Sequence, residues 1–165
     1  MHIAHPMTDE QRKLVALEYF NAIDNGSTSD GRPFLELFAE DAQVFFPKWG
    51  LANGRVEIGR LFGDVGATLT RIRHHTEDFN WIFSGSEIVV VEGRTSGQHL
   101  DGSWEMDQPI WGSGRFCDVF QIRNFMIQRC FVYLDPDYAA KDTGRYRWLK
   151  KTGRPAARSP YAGLW

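Results

Sequence analysis

The sequence predicts an α+β fold, with three N-terminal helices packed on one face of a strongly curved antiparallel sheet. Three observations predict it. Apolar residues recur at helical spacing in the first part of the chain, interrupted by one early strand. From Arg71 onward every segment is rich in β-branched and aromatic residues and is bounded by short polar turns. Those strands are long, and a long twisted sheet curls, so its concave side under the first helix forms a natural ligand hollow.

The elements follow in order. Thr8-Asp9-Glu10-Gln11 has the form of a capping box, with acids in the first turn. Val15, Tyr19, Ala22 and Ile23 share one face of the helix that follows, and Gly26 in Asp24-Asn25-Gly26 can end it in the left-handed conformation. After a loop over 27–31, Pro33 opens a second short helix through Leu37 and Phe38 that ends near Glu40-Asp41. Asp41 to Pro47 is a strand, and Lys48 to Gly54 is irregular. Ile58, Leu61, Phe62, Val65 and Leu69 mark a third helix, weakened by Gly59, Gly63 and Gly66. Strands are expected over Ile72 to Phe83, Glu87 to His99 and Ser103 to Trp111.

The last two strands, Arg115 to Ile122 and Met126 to Leu134, form a hairpin joined at Arg123-Asn124-Phe125. Alternation puts Phe116, Asp118, Phe120 and Ile122 on one face, so a carboxyl group stands in an otherwise apolar row. Such a group must be paired, hydrogen-bonded or kept protonated. A turn centred between Arg123 and Asn124 sets Arg129 opposite Asp118; a slip of one residue sets Cys130 there. A structural ion pair and a functional carboxyl therefore both stay open. The same centring opposes Cys117 and Cys130, although two cysteines without a secretory signal are ordinarily reduced and buried.

Composition narrows the function. A hydrophobic fraction of 42% and a charged fraction of 24% suit a globular chain, and 165 residues suit one domain with a good core. The aromatic fraction of 14% supplies rings that must cover something. A net charge of −2 offers no broad field for nucleic acid or a membrane surface. Basic residues gather after Arg147, with Lys150, Lys151, Arg154 and Arg158 and no acid, so residues 1–146 are expected to form the domain and residues 147–165 a basic extension. The start lacks the character of a signal peptide and no apolar run is long enough to span a bilayer, so a cytoplasmic location is expected. Phosphate-cradling, nucleophilic-serine and zinc-protease motifs are lacking, and adjacent His74 and His75 point to opposite faces and cannot share a metal from a regular strand. No cofactor and no metal are expected.

Three stretches carry a family resemblance: Tyr19-Phe-Asn-Ala-Ile-Asp-Asn-Gly, Leu37-Phe-Ala-Glu-Asp-Ala-Gln-Val-Phe-Phe-Pro, and Asp118-Val-Phe leading to Tyr133-Leu-Asp-Pro. Over most of residues 8–138 the chain resembles the SnoaL-like, nuclear-transport-factor-2-like superfamily, with its cystatin-like cone, which includes steroid delta-isomerases and scytalone dehydratase. Resemblance to the isomerases implies that Tyr19 and Asp118 form an oxyanion hole, the aspartic acid donating as a protonated carboxyl. The position of their general base is similar to that of Phe46, which cannot take a proton. Resemblance to scytalone dehydratase adds His75 and His99 as pocket histidines. Imidazole suits acid and base work because its free pKa is about 6.5.

The expected reading is a cofactor-independent lyase or isomerase, working by acid–base chemistry beside the carbonyl of a small apolar ring compound. Asp118, His75 and Tyr19 are the candidate catalytic set. His99, Trp49, Phe46, Trp81, Phe120 and Tyr133 are the candidate substrate-binding set. The other reading is a non-catalytic small-molecule-binding or homo-oligomeric protein of the same fold. Tyr19, His75 and the tryptophans each also admit a purely packing role. The resemblance further implies a homodimer through the outer sheet face.

Overall fold

The computed structural model describes residues 6–105 and 114–139. Its elements run α1 (Asp9–Asn25), β1 (Phe38–Phe46), β2 (Gly50–Asn53), α2 (Gly54–Ala67), β3 (Leu69–His74), β4 (Asn80–Ser84), β5 (Ile88–His99), β6 (Gly102–Trp104), β7 (Arg115–Arg123) and β8 (Met126–Leu134). Among the described residues the sheet has the order β2-β1-β8-β7-β5-β3, with β4 and β6 also paired to β5. Both helices pack on its concave face, giving the α+β cone that the sequence predicts.

α1 begins and ends as its sequence dictates. The Thr8 side chain accepts the Gln11 amide, Gln11 returns a bond to the Thr8 backbone, and Gly26 closes the helix at φ 85°. Its buried stripe of Val15, Ala16, Tyr19, Phe20 and Ala22 lies on the sheet. Tyr19 and Phe20 both meet Phe120 of β7 edge-on, with ring centroids 5.1 and 5.9 Å apart. Each of these fully buried rings contributes on the order of 1.5 to 3 kcal/mol, so this contact fixes the helix over the strand that carries Asp118.

Four details differ from the sequence expectation. The second helix is only a 3₁₀ turn, Phe34–Leu37, because Phe38 is already paired with Ile127 in the sheet and fully buried. The stretch after Pro47 is not wholly irregular: positive φ at Lys48 and Gly50 turns the chain back, and β2 pairs with β1. The sheet is mixed, since β1 runs parallel to β8. No tight hairpin joins those two strands, so nothing local imposes an antiparallel sense. Finally, the expected strand from Ile72 to Phe83 breaks in two around a 3₁₀ turn at Thr76–Asp78.

That break falls where β5 changes partners. β4 pairs with its first half (Ile88 to Glu92) and β3 with its second (Thr95 to His99). Between those halves a Cβ on Gly93 would come within 2.5 Å of the Phe116 ring and 2.7 Å of the Phe79 ring, so only glycine lets both rings reach the backbone. The remainder of the strand expected to Trp111 and the extension 147–165 lie outside the described residues. No described helix is long and apolar enough to cross a membrane.

Candidate functional site

β7 alternates as predicted. Phe116, Asp118, Phe120 and Ile122 are buried on the concave face, while Cys117, Val119 and Gln121 face outward. The hairpin turns on Asn124 and Phe125, both at positive φ, and a bulge between Gln121 and Ile122 shifts the register further. Asp118 therefore lies opposite Val132. Gln121, not Asp118, faces Arg129, and Cys117 faces Tyr133. Both alternatives raised by the uncorrected register are thereby removed: Asp118 has no ion pair with Arg129, and both cysteines are free.

Asp118 is 3% exposed, and its Oδ1 has no hydrogen-bond partner among the described residues. Burial alone drives its pKa well above the ordinary aspartate value. Burial thus favours the protonated form, and a neutral carboxyl can donate a hydrogen bond.

Asp118 lines a narrow, mostly apolar cavity of about 50 Å³ beneath α1. Tyr19, His74, Thr95 and Tyr138 bring further polar groups to its walls, and Phe46, Phe62, Phe116 and Val132 are among the apolar ones. Tyr19 is 2% exposed, and burial, with Cys130 and Asp118 close by, raises its phenol pKa well above the usual value. Tyr138 follows β8 and packs its ring on Trp104 at 4.6 Å. Its phenol pKa is also raised, by burial first and then by the proximity of Asp118. Both phenols and the acid line the same cavity, and burial favours the protonated form of each.

The histidine in this cavity is His74, not His75. His74 ends β3 opposite Thr95, which also lines the cavity. Its ring packs against Phe20 and Phe116, and its Nδ1 lies 2.6 Å from Asp24 Oδ1 at the end of α1. The two side chains are 9% and 16% exposed. His75 takes the other face, where Nε2 lies 3.0 Å from Ser96 Oγ and Nδ1 lies 3.5 Å from Glu77. Period-two alternation separates the neighbours, and the chain leaves the strand directly after His74.

The candidate binding residues divide similarly. Phe46 lines the cavity. Phe120 lies in the core, fully buried against Tyr19. His99 does not reach the cavity; its Nδ1 accepts the Asp101 amide at 3.1 Å. Trp49 packs on Phe46 and donates its indole N–H to Asp64 at 2.6 Å. Trp81 sits between Phe79 and Phe83 near Lys13, away from the cavity. Tyr133 is 51% exposed on the outer face. Sequence reasoning missed His74, Asp24 and Tyr138. Asp24 reads as part of a helix stop, and nothing in the sequence ties it to a strand fifty residues on. Among the described residues no group of three or more His, Cys, Asp or Glu side chains is placed to hold a metal.

The fold is shared with solved structures described as NTF2-like proteins and candidate polyketide cyclases. Among solved structures, an NTF2-like protein of unknown function from Burkholderia pseudomallei superposes with a TM-score of 0.62 at 17% identity, covering 82% of this chain and 97% of that one. A candidate polyketide cyclase from Xanthomonas campestris gives 0.58 at 16% identity, covering 76% and 91%. TerC, co-crystallised with polyporic acid, gives 0.59 at 17% identity, covering 76% and 92%. At these identities the likeness is one of fold. No protein-family profile matches the chain, and no curated protein matches its sequence.

Proposed function

We propose that the protein is a cofactor-independent lyase or isomerase that moves protons beside the carbonyl or enol of a small, largely apolar ring compound. The observation that carries this reading is that a buried acid with an unpartnered Oδ1 and a histidine lie on one mostly apolar cavity, the histidine being held from behind by Asp24. An ionised Asp24 only accepts hydrogen bonds, so it holds the proton on His74 Nδ1 and leaves Nε2 with a free lone pair. Nε2 takes the proton alpha to the carbonyl, and the C–H electron pair moves toward the carbonyl oxygen. Asp118, with Tyr138 or Tyr19, donates to that oxygen as charge develops. The imidazolium then returns the proton to another carbon, giving an isomer, or to a beta hydroxyl, which leaves as water.

That TerC, a structure of this fold, was co-crystallised with polyporic acid supports a small-molecule ligand here. The chemistry itself rests on the residues of this chain. A non-catalytic binding protein is the second reading; it is favoured by Phe46 in the cavity wall, where the isomerases that the sequence resembles are expected to carry their base. Dimerisation belongs to the same proposal. Phe45, Phe131 and Tyr133 form an aromatic row on the outer sheet face, with centroids 6.0 to 6.3 Å from Phe45, suited to isologous contact with a second copy.

The test is a thermal-shift screen of cyclic ketones, enones and phenols, because binding to the folded state alone raises its melting temperature. Carbonyl hits are then followed for exchange of the alpha proton in D2O by NMR. Exchange that disappears in both His74→Ala and Asp118→Asn supports catalysis. Binding without exchange in the native protein leaves the non-catalytic reading, and exchange unaltered in both variants refutes the assigned roles.

A further inference from the structure

Asp118 and His74 open into only about 50 Å³, yet sites for ring-sized ligands run to several hundred. The missing volume lies next door. A groove of about 590 Å³ runs between the end of α1, α2 and β3. Ile23, Phe62, Val65, Leu69 and Ile72 line both the groove and the cavity, so a single layer of apolar side chains separates them. The dyad spans the same wall: Asp24 lines the groove and His74 lines the cavity.

α2 is built in a way that leaves this groove open. Gly63 and Gly66 line it, and a Cβ added at either would meet nothing within 4 Å. Gly59 differs, for its Cβ would press on Leu35 at 3.1 Å. Glycine inside a helix costs about 1 kcal/mol against alanine. At positions 63 and 66 no close approach of the chain offsets that cost; the space left by the missing side chains belongs to the groove. The unpartnered Oδ1 of a nine-tenths-buried Asp118 in the adjoining cavity is an independent sign that this region receives a polar group from outside the chain.

We propose that the groove is the second half of the substrate site. It takes the apolar body of a substrate larger than one ring, whose carbonyl or enol end passes Phe62 to reach Asp118 and His74. This deepens the acid–base reading above and rests on it. Phe62 is then the side chain that must turn aside as the ligand enters, and the empty flank of α2 sets how wide a ring system is accepted.

The experiment compares phenol with 2-naphthol, which carry the same hydroxyl on one ring and two, by calorimetry on the full chain. The native protein is expected to bind 2-naphthol at least about tenfold tighter, the order expected for burying a second ring. Gly63→Leu and Gly66→Leu fill the groove and favour the helix, so both should melt no lower than the native protein. Each should cut the 2-naphthol advantage to about twofold or less while leaving phenol affinity nearly unchanged. Should one variant melt lower, the other and Gly63→Met carry the same comparison. Folded variants that keep the full 2-naphthol advantage overturn the groove proposal, as does native protein that binds both phenols equally. Asp118→Asn should weaken both phenols together. If the native protein binds neither, or if Asp118→Asn changes nothing, the acid–base reading fails and takes the groove with it.

Discussion

His74 Nδ1 lies 2.6 Å from Asp24 Oδ1, and Asp24 Oδ2 accepts the backbone N–H of His74 at 2.8 Å. One carboxylate thus grips both the ring and the main chain of the residue that ends β3. The grip orients the imidazole between Phe20 and Phe116 and ties the end of α1 to the sheet edge. Charge-assisted bonds of this kind are about twice as strong as neutral ones.

Replacing Asp24 by Asn keeps the shape but presents an amide that can donate to the ring, so the imidazole tautomer is no longer held. Alpha-proton exchange is expected to fall by roughly 10² to 10⁴, with ligand affinity changed by less than about threefold. Equal losses in affinity and rate would mark Asp24 as merely structural. The split is read from single-turnover rates and direct binding.

Asp118 makes stability depend on pH. Its folded pKa is raised by burial, while the unfolded carboxyl titrates near about 3.9. The folded state therefore holds the proton more tightly. That stabilisation is complete below the unfolded value and is lost as pH climbs through the folded one, by up to about 1.4 kcal/mol per pH unit. Asp118→Asn has no such proton to lose. Urea midpoints measured from pH 5 to 9 should fall more steeply for the native protein than for the variant; parallel curves would show an ordinary carboxyl.

Gly97 sits where β3, β5 and β6 meet. A Cβ there would approach Arg71 O to 2.3 Å and the Trp104 ring to 2.4 Å. The first of these is backbone and cannot swing away, so Gly97→Ala is expected to destabilise by about 3 kcal/mol. Chemical denaturation measures it, and a loss under 1 kcal/mol would contradict the register of β3 on β5.

Tyr138→Phe keeps the ring on Trp104 but removes a hydroxyl from the cavity. Binding of 2-naphthol should weaken by roughly two- to tenfold, the worth of one neutral hydrogen bond. Unchanged affinity would place the hydroxyl outside the ligand's reach.

Much of this architecture is legible in the sequence because it is written locally. Thr8 and Gln11 declare the start of α1 and Gly26 its end. Strict alternation places Asp118 on the buried face of β7. What escapes is set by tertiary geometry. Phe125 is not a residue that signals positive φ, so the turn falls about one residue later than its composition suggests, and the bulge adds another shift. Those shifts decide that Val132, and not a cation or a thiol, stands opposite Asp118. Likewise the 3₁₀ turn at Thr76–Asp78 interrupts the strand after His74, and His75 lies beside Ser96. A pattern of apolar residues cannot say which of two adjacent histidines a bent sheet turns inward.

The acid–base reading requires Asp118 to stand in the cavity as a neutral acid at pH 7. A ¹³C NMR titration of protein labelled at the aspartate carboxyl carbons, with the Asp118 signal assigned by its absence in Asp118→Asn, decides this. The expected result is a carboxyl that stays protonated at pH 7 and shifts when 2-naphthol binds. A signal that is already ionised at pH 7, or that ignores the ligand, would contradict it.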